Sequence, residues 1–397
     1  MTFLEENRHL LEEKRDTLKE WFTRKRAEVP IPIYGSVDIR DSGWKVCVVD
    51  ANHFPAGFNN VSADEEPRLS QLLKEHIIRR HENCEWVHLY PESHTRNQAY
   101  VENVKVITRL IELAGFRVTV GSPELAGHGS LDGITGPLKL VNVVVEGDSL
   151  MIDGKKPCLI LLNNDLTEGI VSGLESQQTS PPVEMGWHRR RKSEHYSVLK
   201  EYVDEVCEII GIEPWRLTTE WFVSEDKCLD EDECRIKLAA EVDDFIRNIK
   251  ERYVKHGIER EPVVFIKNDR GTYGLGILTI RSGDELLELS NRKMKKLSYG
   301  KGRTVNENFL IQEGVPTQFN DDGPIEPVVY LIDGEAASWF YRINSKKSDI
   351  DNLNSPSAIF QRRDQMPEWL TKDAEGWHAL VAELSMLAMG REMQVRS

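Results

Sequence analysis

The sequence predicts an α/β (α+β) fold, and three observations carry that expectation. Apolar residues recur at helical spacing and then in short β-branched runs, turn about, across residues 69–120. A cluster of strands follows late in the chain, between positions 309 and 343. The 397 residues contain no stretch near the roughly 20 apolar positions that a membrane crossing needs, so the apolar 40% must go into folded cores.

Taken in order, residues 1–28 place Leu and Phe among Glu, Lys and Arg at helical spacing, and Pro30 and Pro32 end that helix. The pattern is unlike the apolar block of a signal peptide, so a cytoplasmic protein is expected. Residues 34–39 and 44–49 read as strands of a hairpin that turns at Asp41-Ser42-Gly43. Residues 69–81 are then helical, 84–89 a strand, 98–114 a helix and 116–120 a strand. Residues 138–145 and 149–152 pair through Glu146-Gly147-Asp148, and 158–162 form a buried strand. The stretch 167–192 has the composition of a long loop or lid. Helices at 196–210 and 231–256, strands at 309–312, 327–332 and 338–343, and a helix at 377–393 complete the order.

A formal net charge of −15 argues against nucleic acid as a partner, because phosphate backbones demand clustered positive charge. His188-Arg189-Arg190-Arg191-Lys192 is the exception, and one or two of its arginines, Arg191 among them, are expected to face an anionic small molecule. The six cysteines form no Cys-x-x-Cys pair and read as reduced thiols, several of them buried.

Residues 262–277 carry the strongest chemical signal. The run Val263-Val264-Phe265-Ile266 is a buried strand ending on Lys267, which presents its ammonium as a point charge. Gly271, Gly274 and Gly276 follow, with Asp269, Thr272 and Tyr273 between or beside them, and their backbone N–H groups can turn onto phosphate oxygens. The lysine precedes the glycines and a strand follows them, so this is neither a Walker loop nor a dinucleotide fingerprint. It resembles the phosphate-covering hairpin of the ATP-grasp superfamily. That resemblance implies an adenine hinge, assigned to Phe309-Leu310-Ile311-Gln312-Glu313-Gly314-Val315, with Gln312 and Val315 beside the base and Glu313 toward the ribose. It also implies metal ligands after the hinge, which the chain does not supply there.

The missing ligands are expected at the other end. Asp50 and Asn52 lie two apart on a strand and so share a face, and the hairpin turn brings Asp38 across from them. Two carboxylates and an amide carbonyl suit magnesium, the nucleotide phosphates completing its shell. The implied ATP-grasp domain is therefore circularly permuted, its closing hairpin encoded first. Arg342, in Trp339-Phe340-Tyr341-Arg342-Ile343, is assigned with Lys267 to charge on the transferred phosphoryl group.

Together with His94-Thr95-Arg96-Asn97, Asn163-Asn164-Asp165 and Asn352-Leu353-Asn354, these segments resemble the proteobacterial ATP-grasp-type glutamate-cysteine ligases over nearly the whole chain. Asn268, Arg270 and Ser357 depart from the expected pattern without removing a proposed ligand. The resemblance implies ATP and Mg2+ as cofactors and glutamate, cysteine and ATP as small-molecule substrates. It implies substrate contacts from Arg96, Asn97, Arg191, Asn352 and Asn354, with Arg96 on the glutamate α-carboxylate. Three units are expected: 1–60 with the ligand hairpin, 61–195 as a substrate-side α/β unit with the lid at 167–192, and 196–397 as the nucleotide-binding region. Another ATP-grasp ligase, a small-molecule kinase of the same fold and a non-catalytic nucleotide-binding regulator stay open. Oligomeric state is open too, the charged N-terminal helix being the candidate element for a homodimer.

Overall fold

The computed structural model describes residues 2–93, 96–225, 232–270, 277–290, 293 and 308–396. Two helices open the chain, α1 (Phe3–Glu13) and α2 (Arg15–Glu28), where the periodicity suggests one. Thr2 Oγ1 caps α1 by accepting from Glu5 N, and the Glu5 carboxylate accepts from Thr2 N in return. The hairpin β1 (Tyr34–Asp41) and β2 (Val46–Asn52) follows as expected, and then α3 (Glu66–Arg80), β3 (Trp86–Pro91), α4 (Gln98–Leu113) and β4 (Arg117–Val120) alternate.

The expected strand at 138–145 is split between two hairpins, β5 (Ser130–Gly133) with β6 (Gly136–Lys139) and β7 (Val144–Glu146) with β8 (Ser149–Met151). β9 (Leu159–Asn163) and β10 (Thr179–Ser180) complete a parallel sheet in the order β10-β9-β3-β4. Past it come α5 (Lys192–Ile210), β11 (Trp221–Ser224), α6 (Asp232–Lys255), β12 (Val264–Asn268), β13 (Leu278–Ile280), α7 (Gly283–Leu287) and β14 (Phe309–Glu313). These give an antiparallel sheet in the order β11-β14-β12-β13. The chain ends with β15 (Phe319–Asn320), β16 (Gly323–Ile332), β17 (Glu335–Ile343), β18 (Ile359–Arg362) and α8 (Glu375–Arg396).

The position of β1 defines the architecture. It pairs antiparallel with β16, Asp38 opposite Val328, so the sheet runs β18-β17-β16-β1-β2 and joins the first strands of the chain to the last. The early hairpin thus completes a sheet built from late strands, as the expected circular permutation requires. Both faces of the sheet are buried at β16, whose sequence is nearly continuously apolar. Val329 and Leu331 face α8, which packs through Trp377, Val381 and Leu384, while Val328, Tyr330 and Ile332 face α3, α4 and the parallel sheet. A separate core forms between α6 and strands β12 and β14. Among the described residues no helix is long and apolar enough to cross a membrane.

The reduced-thiol expectation holds at Cys47 and Cys207, both buried, and fails at Cys234, which is disulfide-bonded, and at Cys84 and Cys158. The last two form a disulfide, because they enter the adjacent parallel strands β3 and β9 from the same end with Cα atoms 5.5 Å apart.

His88 gives the parallel sheet a pH dependence. It is fully buried, with Nδ1 3.0 Å from Thr119 Oγ1 and Nε2 3.0 Å from the Gly121 carbonyl, and burial lowers its pKa to about 4. The unfolded chain binds this proton near pH 6.5, so between about 6.5 and 4 the unfolded state carries more protons and stability falls as pH falls, by up to about 3 kcal/mol. Urea midpoints measured across that window should decline with acid, and His88→Gln should flatten the decline.

Candidate active site

A bulge decides which residues of the β1–β2 hairpin face the cleft. Asp38 pairs with Asp50 and Ser36 with Asn52, but Ile39 pairs with Val48, so Val49 is an extra residue on β2. Val46 and Val48 before it, and Ala51 after it, enter the core under α8. Asp50 and Asn52 are left on the open side beside Asp38, in the wall of a cleft of about 120 Å³. Asn52 Oδ1 accepts from Phe54 N at 3.1 Å, which fixes the amide and still leaves a lone pair on its oxygen. Outside the ladder, the Val49 carbonyl accepts from Tyr196 Oη at 2.5 Å and from Lys267 Nζ at 3.2 Å.

Lys267 ends β12 as expected and also donates to Gln312 Oε1 at 2.7 Å on the adjoining β14. Burial first, then the nearby Lys192 ammonium, lower its pKa to about 8, against the pull of Asp50. Lys192 opens α5, its ammonium 4.5 Å from the Trp187 ring centroid and paired with Asp50 Oδ1. Burial alone would raise the Asp50 carboxyl, but the Lys192 pair holds it below the usual carboxylate range.

Across β1, Arg342 Nη1 donates to Asp38 Oδ2 at 3.0 Å and also to Glu326 Oε1, while Glu326 Oε2 meets Arg40 Nε at 2.8 Å. Burial raises Asp38 to about 6, with Arg342 opposing and Glu326 and Asp50 adding to the rise. Two carboxylates that face each other and an amide oxygen one step along form a hard-oxygen donor set that fits magnesium. Among the described residues no group of three His, Cys, Asp or Glu side chains is arranged to hold a metal. Phosphate oxygens would therefore have to complete the shell.

Several expected residues are employed elsewhere. Glu313 does not open toward a ribose: it is wholly buried and accepts from Lys45 Nζ at 2.6 Å and Glu220 N at 3.1 Å. A carboxylate taken out of water needs a cation, and Lys45 in the hairpin turn supplies it. Asp269 accepts from Ser193 N and Ser193 Oγ, each at 2.8 Å, and so anchors the start of α5 rather than pointing at a nucleotide. Arg191 lies 3.7 Å from Asp269, and its neighbour Lys192 reaches the cleft instead.

Val315 packs with Cys47 and Val49 between the two sheets. Arg96 is exposed and apart from the cleft wall, while Asn97 Oδ1 caps α4 by accepting from Tyr100 N at 3.2 Å. Asn354 lines the cleft, and Asn352 Oδ1 accepts from Asn354 N at 3.0 Å. Gly271, Thr272, Tyr273, Gly274 and Gly276 lie outside the described residues.

The remainder of the basic run is structural. Arg190 is buried, donating through Nε to Glu392 Oε2 at 2.8 Å and through Nη1 to the Ala51 carbonyl, between the two proposed β2 ligands. Glu392, on α8, also accepts from His195 Nδ1 at 2.7 Å and lies 3.3 Å from His53 Nε2. Despite burial, Arg190 and the two histidines hold it well below the usual carboxylate range. The sequence flags this run as basic but contains no sign that Lys192, not an arginine, enters the cleft. It also gives no sign that Glu392, two hundred positions on, closes the network.

The sequence profile of a family described as glutamate-cysteine ligase, GshA, matches residues 7–393. Among solved structures, the chain is similar to a protein from Methylobacillus flagellatus KT provisionally named a gamma-glutamylcysteine synthetase. The two share 31% identity over 98% of this chain and 95% of that one, with a TM-score of 0.89. More distant are D-alanyl-alanine synthetase A from Vibrio cholerae O1 biovar eltor str. N16961, at 12% identity over 78% and 81% of the chains and a TM-score of 0.35, and a glutathione synthetase-like effector, GSS30, from Globodera pallida, at 11% over 90% and 80% and 0.40. At those scores neither carries an argument. Among curated proteins there is no significant match.

Proposed function

The chain belongs to the glutamate-cysteine ligase family, and from that membership we propose that it joins the side-chain carboxylate of L-glutamate to the amine of L-cysteine at the expense of ATP. The products are gamma-glutamylcysteine, ADP and phosphate, the first step of glutathione synthesis. The observation that carries the reading is the meeting of Asp38, Asp50 and Asn52 with Arg342 in one cleft, with Lys192 paired to Asp50 and Lys267 bonded to the adjoining Val49 carbonyl.

In this reading a glutamate carboxylate oxygen attacks the γ-phosphorus of ATP and ADP leaves. The cysteine amine then attacks the acyl carbon, phosphate leaves and the amine loses its proton. Such chemistry is positioning and charge stabilisation more than proton transfer. Asp38, Asp50 and Asn52 would hold magnesium, which when bound neutralises charge on the phosphates. Lys267 and Lys192 bind phosphate oxygens as point charges. Arg342, kept in place by Glu326, faces the group in transfer. Val263, Phe265 and Ile350 form an apolar cluster next to Lys267, suited to the adenine ring.

The test is ADP release from magnesium-ATP and glutamate with cysteine, 2-aminobutyrate, glycine or alanine as the amine. Cysteine and 2-aminobutyrate should stimulate release, with phosphate liberated in equal amount. No stimulation by either would reject the reaction, and ADP without free phosphate would indicate a kinase.

A further inference from the structure

We propose that Arg40 is a positioning residue that holds the nucleotide end of the cleft in fixed relation to the phosphoryl-transfer end, an assignment that rests on the ligase reading above. Arg40 lies two residues along β1 from Asp38, on the face opposite Val37 and Ile39, which enter the core under α8. Only 3% of its surface is exposed, so it acts through the groups it holds.

Its guanidinium divides among three acceptors. Nε donates to Glu326 Oε2 at 2.8 Å, Nη1 to the Asp349 carbonyl at 2.8 Å and Nη2 to the Asp351 carbonyl at 2.7 Å. The planar fork fixes all three at once, which a lysine cannot do. Both carbonyls belong to the connection between β17 and β18, and that segment borders both ends of the site. Ile350, between the two carbonyls, packs with Val263 and Phe265 in the apolar cluster assigned to adenine, and Asn354 lines the cleft with Asp38. The same segment is tied to the opposite sheet, since Arg260, ahead of β12, donates to Asp349 Oδ2 at 2.6 Å and Thr317 N, after β14, donates to the Asp349 carbonyl at 3.0 Å.

The third acceptor belongs to the phosphoryl-transfer end. Glu326 is buried and splits its carboxylate, Oε2 to Arg40 and Oε1 to Arg342, whose Nη1 also meets Asp38. Stability alone does not account for such a chain, because a buried ion pair repays its desolvation poorly and an apolar pair of similar volume would serve the core as well. Placement accounts for it. Connections between strands are ordinarily the mobile part of a sheet, and this one carries a wall of the nucleotide cluster. Arg40 fastens its middle to β1 and β16, so the adenine end and the Arg342 guanidinium keep one spacing.

The experiment titrates magnesium-ATP into the wild type and Arg40→Lys without amino acids, then measures ADP release with glutamate and cysteine. Arg40→Lys keeps a cation for Glu326 but loses the fork. Magnesium-ATP should bind it about tenfold more weakly, with KM for ATP rising in step and kcat changing by less than about threefold. Glu326→Gln should show the opposite split, with affinity for magnesium-ATP within about threefold of wild type and kcat about tenfold lower, because Arg342 loses a charged partner. Wild-type affinity in Arg40→Lys overturns the assignment, and so does an equal loss of affinity in both variants, which marks a role in folding alone. Should Arg40→Lys not fold, Arg40→Met combined with Glu326→Met leaves no buried charge alone; it should bind magnesium-ATP about tenfold more weakly, and unchanged affinity there overturns the assignment as well. A wild type that binds magnesium-ATP but releases no ADP with glutamate and cysteine overturns the ligase reading, while the affinity comparison still decides Arg40. A wild type that does not bind magnesium-ATP overturns both.

Discussion

Asp50→Ala is expected to cut magnesium-dependent turnover by about 10³-fold or more while leaving the fold intact. The two halves of that expectation have separate causes. Asp50 contributes little to stability because its side chain is 38% exposed and its Lys192 partner borders the same cleft, so the pair is worth about 1 kcal/mol or less. It contributes much to turnover because no other carboxylate takes its position opposite Asp38. Titrating magnesium against ADP release, with a melting curve beside it, reads both. Full activity in the variant would remove the proposed metal site. A wild-type magnesium midpoint with reduced kcat would move Asp50 from ligand to mere neighbour.

Glu392→Ala should show the converse pattern, a loss of about 3–5 kcal/mol of stability at neutral pH. The variant strips the counter-ion from Arg190, which is 1% exposed and cannot turn to water, and removes the acceptor of His195. The sign with pH is fixed. A carboxylate held below its unfolded pKa of about 4.3 stabilises in full above that value, and its contribution disappears as pH falls toward the depressed folded one. Urea unfolding at pH 7 should show a lower midpoint with unchanged slope, and the difference from wild type should shrink in acid. Replacing Arg190 and Glu392 together with methionine should recover part of the loss, because no buried charge is then left alone. A single-variant loss below about 1 kcal/mol would mean the network is not a stabilising one.

The local parts of the site were legible in the sequence because they obey short-range rules. Two residues apart on a strand means a shared face, which places Asp50 with Asn52, and a β-branched run ending in lysine places Lys267. What escaped depends on contacts that local spacing does not encode. The bulge at Val49 is set by the pairing of Asp38 with Asp50 across the turn. In the basic run, successive side chains diverge as the chain enters α5, Arg190 to Glu392, Arg191 to Asp269 and Lys192 to Asp50, so composition alone cannot choose among them. β18 was missed for a different reason: it is a four-residue edge strand whose Ile359 and Phe360 are both exposed, leaving no alternation to read. Cys84 and Cys158 show the same limit, since only the register of β3 against β9 brings them together.

The pairing of β1 with β16 also imposes an order on the birth of the molecule. The hairpin with the proposed metal ligands is synthesised well before the strand that flanks it and the helix that carries Glu392. The hairpin must therefore remain without its sheet neighbour until β16 has been made. A truncated or stalled product would contain all three proposed ligands and still have no site.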